Sequence, residues 1–334
     1  MNDIPSIHPE QDHHSSLLQP SGCMSRLENI ALWFAKRQNR AIPDAITAAT
    51  VLFAADHGVA AGMAGQDGES ATIQRVQQAA ASNSVISGLC RQADSSLHIV
   101  DVGVAGSLAE NDLVEHAKVR PNGAADITVE PAMNQEDYWE IVGIGEEMAN
   151  RTIDAGANLL VAGSISTGNR IAIAAMIAEL IGLSTEMVLN PCADSTSETY
   201  AAELMAVEQA RARVAGTSSH DMLRELGGLE LAAMAGFYRA AARKGVPVLL
   251  DGLGSATAAL AAIAWDVRIA GWMLASHVSD DAGHRDVMDE LGLEPLVEIK
   301  HSIGEGKVAV LMTPVLQSAI TLQRGLASIE AGEI

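Results

Sequence analysis

The run ITAATVLFAA, from Ile46 to Ala55, decides the fold: it is rich in β-branched residues and alanine and stops at Asp56-His57-Gly58. Such a run predicts a buried strand that ends in a polar loop. The arrangement recurs in IVDVGV (99–104), VAGSISTGN (161–169), VLLDG (248–252) and LASHVS (274–279). Apolar runs that repeatedly end at small or polar residues are typical of parallel strands whose carboxyl ends carry an active site.

Helical spacing fills most of the intervals between these runs. Helices are predicted over 72–91, 136–155, 170–181, 199–214, 226–244, 256–264 and 314–329. Further strands are predicted over 246–250, 271–276 and 307–312, with Val188 in another short strand. Strands that alternate with helices predict an α/β fold, a parallel sheet with helices on both faces.

The same pattern predicts the domain organisation. Residues 1–16 are polar and rich in His, Ser, Pro and Gln, which favours a flexible tail. Residues 17–40 together with 313–334 are expected to form a small helical domain from both chain ends. Residues 41–312 then make a Rossmann-like large α/β domain.

Composition and charge exclude several classes of function. The 334 residues carry a net charge of −21, which disfavours binding to nucleic acid or to an anionic membrane. No apolar run reaches the roughly 18 residues of a membrane span, and the first residues lack a signal-peptide pattern, so a cytoplasmic protein is expected. The scattered cysteines Cys23, Cys90 and Cys192 favour neither a disulfide framework nor a zinc site.

The strand ends carry the candidate chemistry, and together they are expected to line one crevice. The segment Gly163 to Gly168 could cradle a phosphate at a helix N-terminus, or it could be an ordinary capped turn. Asp56-His57-Gly58 could contact substrate or form an Asx turn. Asp101 and Asp251 could contact substrate or cap the helices that follow them.

Gly304-Glu305-Gly306 is the sharpest motif. Its glycines allow the backbone to approach a ligand closely and leave the carboxylate unshielded. In a partly dry pocket the pKa of Glu305 would rise, which would suit it to accept a proton from a nitrogen heterocycle. The alternative is a solvated turn.

Several segments together carry a resemblance to a known family. They are Arg26-Leu27-Glu28, ADHGV (55–59), DVGV (101–104), PAM (131–133), LGGLELAAMAG (226–236), PVLLDG (247–252), SHVSDDAGH (276–284), LEPL (293–296) and GEG (304–306). In order and spacing, the chain resembles the nicotinate-nucleotide–dimethylbenzimidazole phosphoribosyltransferases over residues 20–325.

The resemblance implies a homodimer that moves phosphoribose from nicotinate mononucleotide to 5,6-dimethylbenzimidazole, without metal or cofactor. The products are nicotinate and α-ribazole 5′-phosphate, the precursor of the cobalamin lower ligand, with Glu305 as general base. The candidate substrate-binding residues are Asp56, His57, Gly58, Asp67, Arg75, Gly163, Ser164, Ser166, Asn169, Arg170, Asp251, Ser276, His277, Gly304 and Gly306.

The chain departs from the family pattern around the expected site. Ser164 stands where the family has a second acidic residue, and Glu203 aligns with a lysine expected near the phosphate. Asp67 and Arg75 replace a serine and a glutamine that contact the base, and they could pair with each other or bind a more polar base. Arg170 is new, and its guanidinium could replace the lysine as a phosphate ligand.

These departures leave three hypotheses open. The first is a phosphoribosyltransferase that uses the family's base or a related one. The second is a non-catalytic or partner-dependent paralogue that binds a nucleotide or pairs with a related chain. The third is a different α/β enzyme that keeps only the scaffold.

Overall fold

The computed structural model describes residues 26–61, 68–191, 196–300 and 304–325. The chain divides into two compact units. One unit contains, among the described residues, 26–47 and 311–325, and the other is Ala48–Val310. The predicted tail over 1–16 lies outside the described residues.

The strands are β1 Ala48–Asp56, β2 Ser95–Gly103, β3 Val114–His116, β4 Leu159–Thr167, β5 Val248–Leu250, β6 Met273–Ala275, β7 His277–Val278 and β8 Val297–Glu298. The helices are α1 Arg26–Gln38, α2 Gly58–Ala61, α3 Gly68–Ala80, α4 Val85–Gln92, α5 Gln135–Asp154, α6 Asn169–Ile181, α7 Thr185–Val188, α8 Ser197–Arg213, α9 Met222–Leu226, α10 Leu229–Lys244, α11 Leu253–Trp265, α12 His284–Leu291 and α13 Lys307–Gly325. A 3₁₀ helix covers Val267–Trp272.

Among the described residues, six strands form a sheet in the order β3-β2-β1-β4-β5-β6, and every neighbouring pair is parallel. This is the strand order of a doubly wound sheet, in which ligands bind beyond the carboxyl ends of the strands near the point where the order reverses. That point lies between β1 and β4, where Leu52 pairs with Gly163. The predicted α/β fold with a parallel sheet flanked by helices is confirmed.

The central strand β1 is buried at all nine positions because it is covered on both faces. On one face Phe53 meets Phe237 of α10, with ring centroids 5.9 Å apart. Helix α10 in turn packs closely on α5, since a Cβ added at Gly145 would lie 1.8 Å from the Ala233 carbonyl oxygen. On the other face Leu52 and Thr50 contact the backbone position of Gly306.

The structure corrects the prediction at the end of the chain. The segment 307–312, expected to be a strand, begins helix α13, which runs from Lys307 to Gly325 with Pro314 inside it. A short β-branched run is compatible with either element. The deciding contact comes from Asp251, whose carboxylate accepts the amide protons of Val308 and Ala309 in the first turn.

Other boundaries also differ from the prediction. The expected helix over 72–91 is two helices, and Ser84 caps the second through a 3.1 Å bond from the Ser87 amide. The expected helix over 226–244 breaks at Gly227-Gly228. Val188 lies in a short helix instead of a strand. The expected phosphate loop after Gly163 is strand β4 as far as Thr167.

Candidate active site

A cavity of about 330 Å³ lies at the carboxyl ends of β4, β5 and β6. Of the residues predicted from the sequence, its lining contains Arg75, Gly163, Ser164, Asn169, Arg170, Asp251, His277, Gly304 and Glu305. Asp56, His57, Gly58, Ser166, Ser276 and Gly306 lie outside the set of described residues that line it. Asp67 lies outside the described residues.

The turn that carries Glu305 has an unusual backbone. Gly304, Glu305 and Gly306 all have positive φ, at 53°, 58° and 75°. A residue with a side chain in this region costs of order 1–3 kcal/mol and is found mainly where the surroundings enforce it, often at functional sites. The strained backbone therefore indicates that the surrounding structure holds the Glu305 side chain in one orientation.

Two features enforce this turn. The first is Asp251, at the end of β5, whose carboxylate accepts the amide protons of Gly306, Val308 and Ala309 at 2.9, 3.1 and 3.0 Å. Burial raises the pKa of Asp251, and these three donors oppose that rise. Asp251 therefore caps a helix, as one alternative had it, but the helix is α13 and not α11, which follows it in sequence.

The second feature is Gly163 in β4, against which the turn lies. A Cβ added at Gly163 would sit 2.6 Å from the Gly306 nitrogen and 2.9 Å from the Glu305 carbonyl carbon. Only glycine leaves room for this contact. Gly163 thus lets the backbone of the turn rest directly on the sheet.

Both oxygens of the Glu305 carboxylate are paired with cations. Arg75 donates from Nε and Nη2 to Oε1 at 2.9 and 2.7 Å, and Lys307 donates from Nζ to Oε2 at 2.5 Å. Burial raises the pKa of Glu305, but the Lys307 hydrogen bond and the Arg75 charge outweigh it, so the pKa lies below its ordinary value. The expectation of a raised pKa is therefore wrong for this arrangement, because the glycine spacing gave no sign of the two cations.

Arg170 and Glu203, which the sequence singled out separately, form one pair. Arg170 Nη1 donates to Glu203 Oε2 at 2.5 Å, and Nη2 donates to the Asn190 carbonyl oxygen. Arg170 stands in the first turn of the thirteen-residue helix α6, whose first residue Asn169 also lines the cavity. A guanidinium and a helix N-terminus together favour an anion at this wall.

His277 contributes its side chain to the cavity wall. The Ser276 Oγ and His277 Nδ1 atoms are 2.9 Å apart, and both residues are buried. Burial lowers the pKa of His277, although the Asp251 charge acts in the opposite direction. The Ser276 hydroxyl is thereby paired with His277 inside the protein, whereas His277 itself contributes to the cavity wall.

In the corner Asp56-His57-Gly58, the side chains of Asp56 and His57 are buried and bonded to other parts of the protein. Asp56 accepts hydrogen bonds from Thr72 Oγ1 at 2.5 Å and the Ala105 amide at 2.8 Å. His57 Nε2 lies 2.9 Å from Glu230 Oε1, and both side chains are fully buried. These partners are far away in sequence, so the corner is not the local Asx turn that was one alternative.

The structure adds residues that the sequence analysis missed. Lys307 and the cavity residue Asn190 carried no motif, although the position of Lys307, two residues after Glu305, was a usable signal. The cavity residue Asp281 lies in the SHVSDDAGH segment but was not singled out as a site residue. Ser166 acts through its main chain, since its carbonyl oxygen accepts from Arg75 Nη1 at 2.6 Å. Among the described residues, no group of three or more His, Cys, Asp or Glu side chains is placed to hold a metal ion.

Comparison with known proteins identifies the family. A family model described as "Phosphoribosyltransferase" matches residues 6–334. The nicotinate-nucleotide–dimethylbenzimidazole phosphoribosyltransferase of Chromobacterium violaceum is 40% identical over 333 residues, covering 99% of this chain and 96% of that protein. The chain belongs to this phosphoribosyltransferase family.

Further members of the phosphoribosyltransferase family match at least 95% of the chain. The relative of that name from Thermus thermophilus is 35% identical over 319 residues, covering 95% of this chain and 94% of that one. The crystal structure of CobT from Thermus thermophilus superposes with a TM-score of 0.90 at 33% identity and covers 96% of each chain. In the part of the chain that the structure describes, no helix is long and apolar enough to cross a membrane.

Proposed function

We propose that this protein transfers the phosphoribosyl group of nicotinate mononucleotide to 5,6-dimethylbenzimidazole or a related base. The products are nicotinate and an α-riboside 5′-phosphate for the lower ligand of a cobamide. The observation that carries the proposal is Glu305 on a strained, anchored turn in the wall of a cavity at the carboxyl ends of the strands. The names of the relatives supply the substrates.

Glu305 is the proposed general base. Its carboxylate accepts the N–H proton of the acceptor base while the other ring nitrogen of that base forms a bond to C1′ of the ribose. The bond from C1′ to the pyridine nitrogen breaks, and its electron pair stays with the departing nicotinate. Attack from the side opposite the leaving group inverts the configuration at C1′ and gives the α-riboside.

The wall formed by Asn169 and Arg170 is the proposed phosphate site. The Glu203 carboxylate and the Asn190 carbonyl oxygen fix the Arg170 guanidinium, while the first amides of α6 add favourable dipoles. This pair places a cation beside the position where the family resemblance expects a lysine. A fixed guanidinium can bind a phosphate bidentately, so the loss of the lysine does not leave the phosphate without a cation.

In the direct test, the purified protein is incubated with nicotinate mononucleotide and one acceptor at a time: dimethylbenzimidazole, benzimidazole, adenine or a cresol. The products of each reaction are separated by chromatography. Release of nicotinate together with a new riboside phosphate would establish the transferase and rank the acceptors. Nucleotide binding without nicotinate release for any acceptor would contradict it.

One observation favours a second candidate, a non-catalytic or partner-dependent paralogue. Arg75 and Lys307 occupy both oxygens of Glu305 and lower its pKa, which weakens it as a base. If a related chain completes the site, turnover would appear only when that chain is added.

A homodimer, which the family resemblance implies, predicts a single species of twice the chain mass in light scattering. A cytoplasmic location stays a prediction.

A further inference from the structure

Arg75 touches three parts of the cavity at once. Its Nε and Nη2 atoms hold the Glu305 carboxylate, and its Nη1 atom is bonded to the Ser166 carbonyl oxygen. The Arg75 side chain nevertheless stays 40% exposed, whereas that of Glu305 is 13% exposed. A half-exposed guanidinium that lines the cavity is within reach of an anion bound there.

Lys307 differs from Arg75 in one respect that matters. Both cations contact Glu305, but the cavity lining includes Arg75 and does not include Lys307 among the described residues. Lys307 lies on the same chain segment as Glu305 and stays beside it whatever enters the cavity. Arg75 comes from another helix, α3, so it is the cation that a ligand can draw away.

We propose that Arg75 is a positioning residue that holds the Glu305 carboxylate in the free protein and passes to an anionic group of the donor when the donor binds. This role of Arg75 rests on the proposed function, so the donor is nicotinate mononucleotide. The anionic group that Arg75 would bind is its phosphate, its pyridine carboxylate or both. The competition is physically reasonable because a guanidinium binds carboxylates and phosphates with the same fork geometry. The donor's anion then provides the differential contact that such a change requires.

The consequence is a base that becomes stronger when the donor is in place. Loss of one of two adjacent cations raises the pKa of a carboxylate, since an opposite charge favours the ionised form. The other titratable groups of the cavity wall are Arg170, Asp251, His277 and Asp281. Among these, Asp251 and Asp281 are acidic and cannot replace Arg75 as a cation, and Arg170 is bonded to Glu203.

The test is a carboxyl-carbon NMR titration of Glu305, with its signal assigned by its absence in Glu305→Gln. In the free protein, Arg75→Gln is expected to raise the pKa of Glu305, and Arg75→Lys to raise it less. Arg91→Gln is the matched control, because Arg91 carries the same charge on the neighbouring helix and bonds only the Ser82 carbonyl among the contacts described. Equal pKa values in Arg75→Gln and Arg91→Gln would overturn the inference.

A second titration adds the donor. Nicotinate mononucleotide is expected to raise the pKa of Glu305 in the natural protein and to change it much less in Arg75→Gln. Nicotinamide mononucleotide, which keeps the phosphate, and nicotinate, which keeps the carboxylate, distinguish the two anions. Donor binding that leaves the Glu305 pKa of the natural protein unchanged would overturn the transfer of Arg75.

These outcomes separate the inference from the proposed function. Turnover with no response of Glu305 to the donor would leave the transferase standing and remove the role of Arg75. A Glu305 response without turnover for any acceptor would support the role of Arg75 and contradict the transferase. Failure of all three probes to bind would overturn both, since no donor anion could then reach Arg75.

Discussion

The corner at Asp56-His57-Gly58 and the turn at Gly304-Glu305-Gly306 are both short charged motifs with glycine next to an apolar run, yet they differ in what their charges face. In the corner, Asp56 and His57 are enclosed and their partners are protein groups. In the turn, Glu305 lies in the wall of a cavity and is held by cations, one of which is half exposed. A short charged motif next to an apolar run therefore stabilises the sheet in one case and presents a reactive group in the other.

The largest expected effect separates the two regions by activity. Glu305→Gln removes the proposed base without changing its shape, so turnover should fall by about 10²-fold or more while nicotinate mononucleotide still binds. Nicotinate release and a binding titration measure the two quantities. Glu290→Gln, on the exposed face of α12, is the control and should retain full activity. Turnover retained in Glu305→Gln would remove Glu305 as the base.

The converse change should act on stability and leave the chemistry intact. Glu230→Ala leaves His57 buried and unpaired, so the free energy of unfolding should fall by about 3 kcal/mol. Urea unfolding measures this, with Glu140→Ala at an exposed position of α5 as control. At a temperature where the variant is folded, nicotinate release per folded molecule should stay near that of the natural protein. A selective loss of activity would place the corner in the site.

Asp251 both anchors the Glu305 turn and stabilises the fold, so its replacement should lower both turnover and the free energy of unfolding. In Asp251→Asn an amide group faces main-chain donors, and the free energy of unfolding should fall by about 1–3 kcal/mol with a clear loss of turnover. The comparison is Asn134→Ala, which removes an ordinary cap at the start of α5 and should cost about 1 kcal/mol. Full activity in Asp251→Asn would show that the turn needs no such anchor.

The smallest effect concerns pH. Because the folded-state pKa of Glu305 is lowered, its carboxylate contributes stability that is present above the ordinary value of 4.5 and is lost as pH falls through the folded-state value. The natural protein should therefore be more stable than Glu305→Gln near neutral pH, by about 1 kcal/mol or less. Unfolding measured at a series of pH values should show this difference shrinking below about pH 4.5. A constant difference would contradict the ion pairs.

Periodicity in the sequence was sufficient to predict the sheet, because buried parallel strands form continuous apolar runs. It failed at Lys307, where the helix depends on Asp251, more than fifty residues earlier in the chain. The Glu305 motif was recognised, but its pKa was predicted in the wrong direction, because the neighbouring Lys307 was overlooked and Arg75 is 230 residues away. Arg170 and Glu203 were each noted singly, and only the fold brings them together. Local pattern predicts elements, whereas pairings across the fold decide the charge of the site.

Gly163 has a consequence for inherited variation in this protein. It has no side chain with which to touch a substrate, yet any other residue there would displace the Glu305 turn from the sheet. In a survey of all single substitutions, position 163 should be as intolerant as position 305 itself. A lineage could exchange many of the cavity's side chains provided that it keeps this bare stretch of backbone.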